Sequence, residues 1–148
     1  MNNNFTFIDL FAGIGGFHLA MHRLGGECVF ASEIDEFARL TYEANYKKIS
    51  PKLFENNRAT FSLFNKDIRT ITPKNLPDFD ILCAGFPCQP FSQAGHKRGF
   101  EDNHNSERGN LFFNIAKILE AKKPKAFFLE NVRGLVTHDN GNTFKIIR

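Results

Sequence analysis

Two prolines, Pro87 and Pro90, follow almost at once on the apolar run Ile81-Leu82-Cys83-Ala84 and its closing Gly85. Each proline fixes φ and deletes a backbone donor, so neither a helix nor an inner strand can run through this stretch. The chain must end a strand at Gly85 and leave it by a stiff loop. Cys88 is carried between the prolines. A nucleophile gains from such a mount, because fixed geometry lowers the entropic cost of attack. The plain alternative is a buried, inert cysteine in a tight turn.

The rest of the chain alternates strand and helix signals. Phe5–Phe11 is apolar except for Asp9 and predicts a strand, in which a buried Asp9 needs a partner. Gly13, Gly15 and Gly16 mark a tight turn, and Phe17, Ala20, Met21 and Leu24 follow at helical spacing as far as Gly25-Gly26. Glu27–Ala31 reads as a second strand, and Asp35 as the N-cap of a helix through Phe37, Leu40, Thr41 and Ala44. Lys47–Arg58, with Ser50-Pro51 and Asn56-Asn57, reads as an irregular insertion. Thr60–Asn65 predicts a weaker third strand leading to Asp67, and Asp80–Ala84 a fourth. Leu111–Lys122 predicts an amphipathic helix and Ala126–Leu129 a fifth, fully apolar strand. Ala94–Asn110 is polar and rich in Gly, Asn, His and charge, which predicts a mobile surface loop. The order β-α-β-α-β-β-α-β implies an α/β fold, a parallel twisted sheet with helices on both faces. At 148 residues and 42% hydrophobic, the chain can bury the core of one such domain.

In sheets of this kind ligands bind beyond the carboxyl ends of the strands. The unusual residues gather at those ends: Phe11–Gly16, Glu33, Asp67, Gly85–Gln89 and Glu130-Asn131. Gly13-Ile14-Gly15-Gly16 lets a ligand approach the backbone closely, or is a plain strand-to-helix turn. His18 stands where the dinucleotide fingerprint wants a third glycine, which disfavours a nicotinamide cofactor. Glu33 follows Gly13 at the distance where a carboxylate accepts both hydroxyls of a ribose, its alternative being a solvated acid at a helix start. Together the loop and the acid suggest a nucleoside-containing cofactor. Asp67 and Ile68 could hold an adenine by a hydrogen bond and an apolar contact, or Asp67 is a turn carboxylate. Glu130 ends an apolar strand. Partial desolvation there would raise its pKa and suit it to donate a proton near neutral pH, unless it only belongs to a helix-capping Glu-Asn corner.

Other residues point to less. His18 and His22 lack the intervening Glu of a zinc-protease helix, so no metal is expected. His96-Lys97-Arg98 is a basic cluster that could grip phosphates, or a solvated loop. A net charge of +3 permits a polyanion partner without demanding one. Cys28 and Cys83 read as buried strand residues. An odd cysteine count without a secretory signal argues for a reducing cytosol. No apolar run approaches the roughly 18 residues of a membrane span.

These residues resemble the cytosine-C5 DNA methyltransferases of bacterial restriction–modification systems. Phe7-Ile-Asp-Leu-Phe-Ala-Gly-Ile-Gly-Gly16 is similar to that family's cofactor motif, Gly85-Phe-Pro-Cys-Gln-Pro-Phe-Ser92 to its catalytic motif, and Glu130-Asn-Val132 to its third hallmark. The resemblance covers nearly the whole chain, in the right order. It implies a Rossmann-like methyltransferase fold and S-adenosyl-L-methionine as cofactor. Phe11, Gly13, Ile14 and Gly16 would line the cofactor site, Glu33 would hold the ribose and Ile34 would flank the adenine. Asp67 and Ile68 would read the adenine edge, while Gly85, Pro87 and Leu111 would close the pocket. Cys88 would be the nucleophile that adds to C6 of a flipped cytosine in double-stranded DNA, and Glu130 the acid. Ser92 and the loop carrying Lys97 and Arg98 would close over the DNA, and the protein would work in the bacterial cytoplasm.

The chain also departs from the family. Members are much longer, and their second half carries further motifs and a target-recognition domain. Residues 1–148 would then be the N-terminal part of the catalytic domain, a fragment or one half of a split enzyme completed by a C-terminal half. Lys145-Ile-Ile-Arg148 ends the sequence inside a helical pattern. Two other readings stay open: methylation of cytosine in transfer RNA, and a non-catalytic module in which Cys88 is idle.

Overall fold

The computed structural model describes residues 5–55, 61–87 and 111–148; Cys88, Ser92, Lys97 and Arg98 lie outside the described residues. Five strands, β1 (Phe5–Leu10), β2 (Gly26–Ser32), β3 (Phe64–Asn65), β4 (Ile81–Gly85) and β5 (Ala126–Glu130), form one sheet in the order β3-β2-β1-β4-β5. Every pairing is parallel. All the strand ends therefore open on one edge of the sheet. The order runs outward from β1 through β2 to β3, then reverses to β4, and such a reversal leaves a crevice at the strand tips.

The side-chain period of two in β1 divides the core. Phe7 faces Cys28, Ala31 and Cys83 and packs under α1 (Gly16–Arg23) and α2 (Glu36–Tyr46) through Met21, Tyr42 and Tyr46. Ile8 and Leu10 face the other way, onto Ile115 and Ile118 of α3 (Leu111–Lys122). Ile115 and Ile118 are almost wholly buried, each stabilising the fold by about 2 kcal/mol. Helices thus cover both faces, as the alternation of elements predicts. Two short helices follow, α4 (Gly134–Thr137) and α5 (Asn142–Ile147), and Leu135 of α4 reaches the α3-side core.

The start of α2 falls where capping chemistry puts it. The Asp35 carboxylate accepts from the Ala38 amide at 2.8 Å and starts α2. Elsewhere the structure departs from the sequence pattern. The insertion is not wholly irregular: Pro51–Phe54 is a 3-10 turn opened by its proline, and Leu53, 1% exposed, plugs the core beside Tyr42 and Phe64. β5 is apolar yet not buried, with Phe127 56% and Phe128 49% exposed, because among the described residues it has β4 on one side and no strand on the other. Asp9 is 1% exposed, and neither carboxyl oxygen finds the partner that burial calls for among the described residues.

Candidate active site at the strand ends

Past Leu10 the backbone turns sharply. Phe11 (φ 55), Gly13 (φ 54) and Gly15 (φ 97) all take left-handed conformations, which for Phe11 costs about 1–2 kcal/mol. Gly15 is the N-cap of α1, and a Cβ there would run into the Tyr46 ring. The Tyr46 hydroxyl donates to the Gly15 carbonyl at 2.6 Å and closes the turn from outside. The turn aims the Gly13 amide at Glu33, whose Oε2 accepts it at 2.8 Å, while Oε1 accepts the Asp35 amide at 2.8 Å. Two amides thus fix the acid at the end of β2. Each oxygen keeps a lone pair for another donor. Ile14 and Ile34, on the loops that leave β1 and β2, are apolar and exposed, at 63% and 56%. Gly16 opens α1 and is exposed.

At the end of β3, Ile68 is buried in the core and Asp67 caps a short 3-10 turn. The Asp67 carboxylate accepts the Arg69 amide at 2.9 Å and its guanidinium at 2.6 and 2.9 Å. This hydrogen bonding to Arg69 holds its pKa below the usual carboxylate range. Arg39 of α2, which the sequence reading passes over, reaches across both neighbouring strand ends. Its Nη1 donates to the carbonyls of Asn65 (2.7 Å) and Glu33 (3.1 Å), and its Nη2 to the carbonyl of Phe64 (3.1 Å). Its guanidinium lies 4.0 Å above the centre of the Phe64 ring. The available signal was its spacing: Arg39 shares a helix stripe with the buried Tyr42 and Tyr46.

The β4 and β5 tips meet in register, Gly85 beside Glu130. A Cβ on Gly85 would lie 3.4 Å from Glu130 Oε2, so the glycine leaves the carboxylate its room. Asn131 Nδ2 donates to the Phe86 carbonyl at 2.9 Å, and Asn131 Oδ1 accepts the Val132 amide at 2.8 Å. Asn131 therefore ties the Glu130 corner to the loop that leads into Pro87 and Cys88. Pro87 is exposed, and Leu111 is half-buried at the start of α3. Glu130 is exposed, and the desolvation expected of it is not found, because among the described residues β5 has no neighbouring strand beyond it.

Beneath the glycine turn, His18 is a core residue. Its Nδ1 shares a hydrogen bond with the Tyr42 hydroxyl (2.7 Å), and its Nε2 one with Ser50 Oγ (3.2 Å). Its ring stacks on Tyr46 at 3.9 Å. Burial, with help from nearby His22, lowers its pKa to about 4. Among the described residues no group of three or more His, Cys, Asp or Glu side chains could hold a metal ion, and no helix is long and apolar enough to cross a membrane.

Comparison with known proteins identifies the family and the fold. The family model of the C-5 cytosine-specific DNA methylases matches residues 5–148. The type II methyltransferase M.HpaII of Haemophilus parainfluenzae is 50% identical over 147 residues, covering 99% of this chain and 37% of the relative. M.HaeII of Haemophilus aegyptius is 54% identical, covering 95% of this chain and 38% of the relative. The chain thus spans under two-fifths of the length of these relatives. Among solved structures, a putative DNA modification methyltransferase from an E. coli prophage superposes with a TM-score of 0.67 at 25% identity, covering 96% of this chain and 36% of that one. The Dnmt2 methyltransferase of S. pombe shares the fold, with a TM-score of 0.66 at 24% identity over 97% of this chain and 41% of that one. On these grounds the chain belongs to the family of C-5 cytosine-specific DNA methylases.

Proposed function

We propose that this chain is the cofactor-binding and catalytic portion of an enzyme that methylates C5 of cytosine in DNA, in a type II restriction–modification system. One observation carries the reading: parallel strands bring the Gly13–Glu33 pair and the Gly85–Glu130 pair to the same edge of one sheet.

The residues present fit S-adenosyl-L-methionine. Glu33, steadied by two amides, would accept the ribose hydroxyls; Ile14 and Ile34 would pack on the nucleoside; Asp67 would accept the adenine amino group, with Ile68 behind it. Phe11, Gly13 and Gly16 shape the turn on which the rest of the cofactor would lie, and Gly85, Pro87 and Leu111 would close the far side. The cofactor supplies an electrophilic methyl group on a sulfonium.

C5 of cytosine is too weak a nucleophile to take that methyl group unaided. The Cys88 thiolate would add to C6 while Glu130 donates a proton to N3, which makes C5 enamine-like. Once C5 has been methylated, loss of its proton to a base would let Cys88 leave. The exposure of Glu130 means that bound DNA, or further protein, must exclude water from it. The ring must leave the duplex stack to reach these groups. Ser92, Lys97 and Arg98 are proposed to close over the flipped strand and its phosphates.

A complementing C-terminal segment would supply target recognition. Alone, the chain is expected to bind cofactor weakly and turn over DNA poorly or not at all. A duplex containing 5-fluorocytosine tests the chemistry, with the chain assayed alone and with that segment. A covalent adduct that forms with the segment present and disappears in Cys88→Ser supports the reading. An adduct that persists in Cys88→Ser refutes it, and a preference for transfer RNA over duplex DNA would move the substrate assignment.

A further inference from the structure

The cofactor reading leaves one strongly held side chain without a role. Arg39 is half-buried, and its guanidinium donates to three backbone carbonyls: Glu33 at the end of β2, and Phe64 and Asn65 of β3. β3 is two residues long, paired to β2 only through Ala31↔Phe64 and Ser32↔Asn65. So short a ladder fixes little by itself. It nevertheless sets the distance between Glu33 and Asp67, because only Lys66 separates Asp67 from the strand and the Asp67 amide is held by Asn65 Oδ1 at 2.7 Å.

We infer that Arg39 is a positioning residue for the nucleoside half of the cofactor. Its planar fork locks the β2 and β3 ends together, so that Glu33 and Asp67 stand one nucleoside apart before the ligand arrives. The inference rests on the S-adenosylmethionine reading and adds a residue that touches neither ribose nor base. A lysine in its place would present a single ammonium and could not span three carbonyls on two strands. The Phe64 ring under the guanidinium rewards a flat cation for the same reason.

The test is a double-variant cycle, read by equilibrium dialysis of labelled S-adenosylmethionine against the chain, with ligand-free thermal melts alongside. Arg39→Met should bind roughly tenfold more weakly, about the worth of one charge-assisted hydrogen bond to the ligand. If Arg39 acts by placing Asp67, the double variant Arg39→Met/Asp67→Asn loses no more than the worse single variant. Arg39→Lys, taken through the same cycle, should keep a near-parental melt and still lose affinity; it replaces the methionine variant should that one not fold. Unchanged binding in Arg39→Lys, or losses that multiply in the double variant, overturns the inference alone. A parent chain that binds no S-adenosylmethionine overturns the cofactor reading and the inference with it.

Discussion

Asp9 and His18 lie close together under the glycine turn, and their ionisation pulls stability in opposite directions. Desolvation raises the Asp9 pKa well above its ordinary 3.8, reinforced by the charge of Glu33. The folded state therefore holds the Asp9 proton more tightly than the unfolded chain. Stability from this residue is greatest at or below pH 3.8 and declines as the pH climbs toward the folded value. His18 runs the other way. With its pKa lowered from 6.5 to about 4, its contribution is complete above pH 6.5 and is lost as the pH falls toward 4. Asp9→Asn keeps the shape and cannot ionise, so it should stabilise the chain by about 1–3 kcal/mol at pH 7 and by much less near pH 4. His18→Asn should flatten the acid side of the profile. Urea midpoints measured across pH read both, and an equal gain for Asp9→Asn at pH 4 and pH 7 would contradict the assignment.

Among the elements, the tightest local constraint is the start of α1. Gly15 needs a left-handed φ and leaves no space for a Cβ against Tyr46. Gly15→Ala should therefore cost about 2–4 kcal/mol, seen as a fall in melting temperature, whereas a loss under 1 kcal/mol would mean that the Tyr46 ring yields easily. The sequence makes this turn legible because its glycines fall between an apolar run and a helical stripe. β1, β2, β4 and α3 are legible for the same reason, and Asp35 announces α2. Three features are not legible. Leu53 and Phe54 sit among a proline, asparagines and charges, so their burial shows only once Tyr42 and Phe64 are seen beside them. Arg39 shows in the sequence only its place on the stripe of Tyr42 and Tyr46, because its partners are backbone carbonyls that no side-chain pattern encodes. The exposure of Glu130 depends on β5 being outermost, and strand order is a property of the whole sheet.

At the scale of the molecule, β5 has a strand on one side only among the described residues, with Phe127 and Phe128 exposed on opposite faces of the sheet. Such an edge invites another strand. At high concentration the chain should self-associate, and Phe128→Lys should shift it toward monomer by light scattering without lowering the melting temperature; unchanged association would place the contact elsewhere.

The sheet order also sets the sequence in which the parts can assemble. β1 pairs with β2 across a short connection, Phe5 against Gly26, but with β4 only across a long one, Phe7 against Ile81. Closing the longer loop is entropically dearer and comes later. On a ribosome the half proposed to hold the nucleoside can take shape while the half that carries Cys88 is still being made. Pulse-labelled hydrogen exchange during refolding should show β1 and β2 amides protected before those of β4. On the proposed reading, a growing polypeptide would then have somewhere to hold its methyl donor before it has anything with which to attack a base.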